Sequence, residues 1–232
     1  MLRRAYFMAF FWLLPVLISC SNPLGNNTAI QTNYLYQTPK VSLNNACGGN
    51  PTSFNLSSAS TTTEVGAAAA GHAGDFWNAT NQGNVANFTL SNILNVSSLP
   101  IPTTIQLSNL PGVWGLSTNG VGDAMYQIFR YSWGGNSDIY INNIQQGTYD
   151  IYLYGTGGGG SNFQLIYNGV PQSTRSTDSN AATSSGLATW VNGEQYVVFA
   201  NFTVVACGDT LQIHITPNSV EPEFNGLQFV AH

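Results

Sequence analysis

Charge is scarce in this chain. Asp, Glu, Lys and Arg together make up 6% of its 232 residues, against ~25% in ordinary soluble proteins. Five basic residues face ten acidic ones, for a formal net charge of −5. Phosphate backbones are gripped by basic stripes, and none is present, so nucleic acid is excluded as a partner. Catalytic signatures are missing too: no Gly-x-Ser-x-Gly elbow and no His-Glu-x-x-His occurs. The four glycines at 157–160 follow a strand-like run but lack the Lys and the helix that a phosphate loop requires. No motif asks for a cofactor. His72 and Asp75 stand three residues apart, with no second His nearby to complete a zinc set. They read first as a hydrogen-bonded structural loop, with a catalytic or metal-binding role as the alternative. No repeat period marks a solenoid or propeller. Beyond the first twenty residues no apolar run is long enough for a transmembrane helix.

What is present begins with an address. Met1-Leu2-Arg3-Arg4 is a short basic start, and residues 5–16 are almost wholly apolar. That run is too short to span a bilayer and suits a signal peptide. It ends in Leu17-Ile18-Ser19-Cys20, which resembles the lipobox of bacterial lipoproteins. The resemblance implies a signal peptide over residues 1–19, cleavage before Cys20, and a diacylglycerol thioether on Cys20. Residues 20–31 would then be the lipidated cysteine and a polar tether. One acyl chain binds a membrane marginally and several hold it firmly, at about 0.8 kcal/mol per buried methylene. The expected location is the cell envelope, lipid-anchored at the outer membrane or cell surface, with the membrane as a partner through the anchor.

With Cys20 assigned to lipid, Cys47 and Cys207 remain in an oxidising compartment, where pairing is the default. Their disulfide would close a loop of about 160 residues and contribute about 5 kcal/mol by chain-entropy reasoning. Six Asn-x-Ser/Thr sequons, at Asn26, Asn55, Asn78, Asn87, Asn95 and Asn201, read as a by-product of polar composition under a bacterial leader.

Residues 32–232 read as one all-β domain, an antiparallel β-sandwich of jelly-roll type. Strands are expected over 138–144, 147–154, 163–167, 196–205, 211–215 and 224–230, each short, β-branched or aromatic, and bounded by Gly, Asn, Asp or Pro. In 149–154, Tyr149, Ile151 and Leu153 point one way and Asp150, Tyr152 and Tyr154 the other, which suits a strand covered on both faces. Asn168-Gly169 is a type I′ hairpin signal. Gly208-Asp209 is expected to join its flanking strands into a meander. Residues 32–43 suit an edge strand or an extended lead-in, 53–63 a weak strand, and 85–96 and 101–110 further strands. Residues 64–84 read as a tightly packed loop that tucks Phe76 and Trp77 under a sheet edge, and 173–189 as a Ser/Thr/Ala loop. Residues 124–133 fit a helix, through Met125, Ile128 and Phe129, or a strand with Tyr126, Ile128 and Arg130 on one face.

The Gly147-Thr148-Tyr149-Asp150-Ile151-Tyr152 strand and the closing Phe224-Asn225-Gly226-Leu227-Gln228-Phe229-Val230 resemble those of carbohydrate-binding-module and galactose-binding-like jelly rolls. The resemblance covers roughly the second half of the chain. It implies the sandwich, a final strand returning beside the first, and sugar binding. From the residues themselves, Trp77, Trp114, Trp133 and Trp190 all sit beside turn-forming residues and are candidate ligand platforms. Abundant Asn and Gln can hold hydroxyls as donor and acceptor together. The expected function is a tethered glycan-binding domain without a catalytic residue. Two alternatives remain: a surface adhesion domain that binds protein, marked by a flat edge strand and no aromatic cleft, and a hydrolase using an Asp/Glu pair.

Overall fold

The computed structural model describes residues 49–58, 67–80, 82–115, 128–155, 157–178 and 190–232, all within the compact unit Val41–His232. The leader, Cys20, the tether, the strand expected over 32–43 and Cys47 lie outside the described residues. No α-helix occurs among the described residues. In chain order the strands are β1 (Phe54–Ser57), β2 (Asn78–Ala79), β3 (Phe88–Leu90), β4 (Thr104–Ser108), β5 (Gly112–Gly115), β6 (Ile128–Tyr131), β7 (Ser137–Asn142), β8 (Gly147–Tyr154), β9 (Ser161–Tyr167), β10 (Val170–Ser176), β11 (Tyr196–Val204), β12 (Thr210–Pro217), β13 (Glu223–Phe224) and β14 (Gly226–Ala231).

These strands build an all-β sandwich. One layer has the order β11-β8-β14-β1-β2 and the other β10-β9-β12-β7-β4-β3. Pairing is antiparallel except between β1 and β2. Alternation explains the core. Tyr149, Ile151 and Leu153 of β8 are buried in one cluster with Ile139 and Ile141 of β7 and Leu211, Ile213 and Ile215 of β12. Phe54 stacks on Phe229 at 4.6 Å between β1 and β14. The opposite face of β8 is covered as well: Tyr154 is buried with Trp77, and Ala68, Ala69 and Trp190 pack against them. Its hydroxyl donates to the Gln228 side chain and accepts from the Ala69 N–H. The closing strand does return beside the first described one, with Phe54 opposite Phe229.

Several local expectations change. Asn168 and Gly169 both adopt positive φ and close the β9–β10 hairpin as expected. The Gly208-Asp209 turn does not make a meander: β11 pairs with β8 while β12 pairs with β7 and β9, so the chain crosses between layers there. Both strands bury an alternate apolar set, and alternation cannot say from which layer a strand faces the core. β10 runs on to Ser176, so residues 173–176 of the expected loop are strand. Residues 128–131 of the ambiguous window are strand β6, with Arg130 buried and paired opposite Val113. Many asparagines serve backbone geometry: Asn92, Asn109, Asn143, Asn168 and Asn201 take positive φ. Asn78 donates to the Asn55 and Leu94 carbonyls and accepts from the Leu94 N–H. Asn55 and Asn78 are buried, so neither sequon can carry a glycan in the folded protein.

The core also sets an alkaline limit. Burial pushes the Tyr149 phenol up to about 12 from an ordinary 10.0. Burial likewise raises Tyr140, Tyr152 and Tyr167. The unfolded chain therefore releases these protons first, so stability is full below pH 10 and falls as pH rises toward 12. Tyr149→Phe removes the bond from the hydroxyl to the Gln145 carbonyl, 2.8 Å long, and is expected to cost about 1 kcal/mol at neutral pH. Urea unfolding at a series of alkaline pH values should show a shallower decline for this variant. An identical slope would rule out Tyr149 as a contributor.

Candidate functional site

Where β8 ends and β14 begins, a third, small sheet with the order β13-β6-β5 closes one end of the sandwich. Its register decides what faces outward. Glu223, Tyr131 and Gly112 form one cross-strand row, and Phe129 and Trp114 pair two rows along, on the same face. Cross-strand partners share a face, so these side chains stand together, while Arg130 and Phe224 are buried behind them. Trp133, two residues beyond Tyr131, sits edge-on to its ring at 4.9 Å.

The outward face lines a cleft of about 340 Å³. Its walls are Trp114, Phe129, Tyr131 and Trp133, and its floor is Gly157, Gly158 and Gly159. Val220, Glu221 and Glu223 complete it. Two glycines are required here by close approach: a Cβ on Gly112 would lie 2.4 Å from the Tyr131 ring, and one on Gly157 would lie 2.4 Å from the Phe129 ring. The two indoles are 61% and 75% exposed at Trp114 and Trp133. Large apolar rings left open beside a cavity are the usual anchors of a bound partner.

Glu223 holds the floor. Its Oε1 accepts from the Gly159 N–H at 2.9 Å, and its Oε2 from those of Gly157 and Gly160 at 2.5 and 2.9 Å. Burial raises its carboxyl despite these donors, which act the other way. Ser161 ties the backbone of the same residue, accepting from its N–H and donating to its carbonyl. Both carboxylate oxygens are thus committed to a glycine loop. Glu221 is different: among the described residues it is the carboxylate for which no hydrogen bond or ion pair is found. Burial alone raises it.

Of the four tryptophans expected as platforms, the structure brings Trp114 and Trp133 together and leaves two elsewhere. Trp77 is 1% exposed and packs edge-on to Tyr154, so its ring offers no free face. Trp190 is half-buried against the same tyrosine at 5.2 Å. Phe129, Tyr131 and the two glutamates were missed as site residues. The signal for the first two was there, since 129, 131 and 133 are aromatic at alternate positions. Asp75 accepts from the His72 N–H at 2.8 Å, which makes that pair part of a closed loop. Among the described residues no cluster of His, Cys, Asp and Glu could hold a metal ion, and no helix is long and apolar enough to cross a membrane. Cys207, in the turn after β11, is not a free thiol. Its pairing with Cys47 stands as a prediction.

No protein-family model and no curated protein matches the chain. Solved structures with some likeness to it include a family two carbohydrate esterase from Clostridium thermocellum in complex with cellohexaose, 18% identical over 52% of this chain and 30% of that one, at a TM-score of 0.26. An exo-β-1,3-galactanase from Phanerochaete chrysosporium with galactose is 14% identical over 62% and 29%, at a TM-score of 0.32. TmCBM61 in complex with β-1,4-galactotriose is 10% identical over 65% and 92%, at a TM-score of 0.30. The chain spans under a third of the length of the first two. Scores this low carry no functional weight.

Proposed function

We propose that this chain is a membrane-tethered extracytoplasmic domain that binds glycan in the cleft of the small sheet, without catalysis of its own. The observation that carries this reading is the pairing of two exposed indoles, Trp114 and Trp133, above a glycine floor in one concave site. Pyranose rings present apolar C–H faces that stack on such surfaces, while their hydroxyls seek planar polar groups. Stacking in water gives modest affinity, with Kd from about micromolar to millimolar. A binding role, not a hydrolytic one, is favoured by the commitment of both Glu223 oxygens to backbone donors, because a glycosidase needs two available carboxyls.

A glycan array probed with the chain from Ser21 onward tests the reading. Trp114→Ala and Trp133→Ala should each weaken binding about tenfold or more while leaving the fold intact. Trp190→Ala should leave affinity unchanged, and Trp77→Ala should destabilise by about 3 to 5 kcal/mol through its cavity. Silence across the array, with a protein partner found by cell-surface crosslinking, would favour the adhesion reading instead.

The tether and the disulfide are tested together by mass spectrometry of the exported protein. We expect an N-terminal peptide beginning at an acylated Cys20, and a cross-linked pair of peptides containing Cys47 and Cys207. Labelled palmitate entering the Cys20→Ala variant as in wild type would overturn the first. Alkylation of both thiols in the folded protein would overturn the second.

A further inference from the structure

The glycan-binding cleft carries more chemistry than stacking alone. Its walls are four aromatic rings, its floor is glycine, and its ionisable side chains are Tyr131, Glu221 and Glu223. Among the described residues, no cationic side chain lines it. Arg130 lies on the reverse face of β6, turned inward and bonded to Thr80 and to backbone carbonyls. Glu223 spends its acceptor oxygens on three backbone donors. Glu221 has no such partner, although every other described carboxylate has one. A half-buried carboxylate beside aromatic walls is partly desolvated. It lacks what an organic cation would supply, and ring faces attract ammonium groups through their quadrupoles.

Granted the glycan-binding reading, on which this rests, we propose that the sugar taken by the cleft is an amino sugar with a free ammonium, stacked on Trp114 or Trp133 and charge-paired with Glu221. The two contacts reinforce each other, since a charge-assisted hydrogen bond strengthens in a site walled by rings. Carboxylated and sulfated sugars are disfavoured by the same carboxylates. Burial holds the Glu221 carboxyl above its ordinary value. Its charge, and with it the ammonium's grip, is therefore lost on acidification earlier than for an exposed glutamate. Among the described residues, Glu223 and Tyr131 are the other titratable groups facing it; the glycine floor and β5 contribute none.

Titration of the chain from Ser21 onward with glucosamine oligomers, their N-acetylated counterparts, cello-oligomers and polygalacturonate fragments, read by tryptophan fluorescence, tests this. Glucosamine oligomers should bind about tenfold tighter than the acetylated ones. That margin should shrink with added salt and on acidification. Glu221→Gln, which keeps shape and leaves the glycine floor untouched, should abolish the margin while preserving affinity for the neutral sugars. Trp133→Ala should weaken binding of all of them. Wild-type protein that binds neutral or acetylated sugars as tightly as the free amines overturns the inference and leaves the glycan reading standing. So does a margin that survives Glu221→Gln. Binding of tetramethylammonium or of a basic peptide with no sugar bound at all overturns both.

Discussion

Glu223→Ala is expected to cost about 3 to 5 kcal/mol of folding stability, a large share of the ~5–15 kcal/mol that holds a typical domain together. The side chain is 1% exposed, and its two oxygens take the N–H groups of Gly157, Gly159 and Gly160. Truncation strands these three donors, at about 1 to 3 kcal/mol each before water returns to the gap. The same loop is the floor under Phe129, so sugar binding should fall with it. Glu223→Gln keeps one acceptor oxygen and turns the other position into a donor facing donors, and should lose about half as much. Urea denaturation followed by tryptophan fluorescence gives both values. An alanine variant within about 1 kcal/mol of wild type would show that solvent satisfies the loop and that Glu223 is not its anchor.

Arg130→Ala is the second large effect, with an expected loss of about 3 to 5 kcal/mol. No part of this side chain reaches solvent. Nε and one terminal nitrogen donate to Thr80 Oγ1 at 3.2 and 3.0 Å, and the other donates to the Gly83 and Leu110 carbonyls at 3.3 Å each. A further bond goes to the Gln82 carbonyl, and the guanidinium lies 4.7 Å from the centre of the Phe88 ring. Burial lowers its pKa to about 10, so it stays charged at neutral pH. No carboxylate among the described residues pairs with it; carbonyl dipoles, a hydroxyl and a ring face hold the charge. Alanine would leave a cavity and several unpaired carbonyls. Arg130→Lys keeps the charge but cannot reproduce the planar fork, and should lose about 2 kcal/mol. A lysine variant as stable as wild type in guanidinium denaturation would mean that charge, not fork geometry, is what the site needs.

Much of the sandwich could be read from alternation. Tyr149, Ile151 and Leu153 on one side and Tyr152 and Tyr154 on the other foretold a strand covered on both faces, and β8 is such a strand. Asn168-Gly169 foretold its hairpin because both residues tolerate positive φ. Layer assignment was not readable. Val197 and Phe199 in β11 and Leu211, Ile213 and Ile215 in β12 are equally apolar and alternate equally, so the crossing at Gly208 leaves no local trace. The site divides the same way. Trp114 and Trp133 stood out by their neighbours, but an identical argument selected Trp77, whose burial depends on Tyr154, far away in sequence. The grip of Glu223 on the glycine loop is likewise long-range. No spacing rule reaches across it.

The pairing of β1 with β14 governs how the molecule comes into being. β14 lies between β8 and β1, so a middle strand of that layer comes from residues 226–231, which leave the ribosome after its other described strands. Until they arrive, Phe54 has no Phe229 to stack on and β8 lacks one of its two neighbours. Contacts of such sequence separation make folding slow, because a long loop must close before any of them forms. Until residues 226–231 emerge, a nascent chain of this topology lacks its finished layer. The same delay leaves strand edges and apolar faces uncovered meanwhile, so yield in the cell should depend on whatever shields them until the final strand slots in.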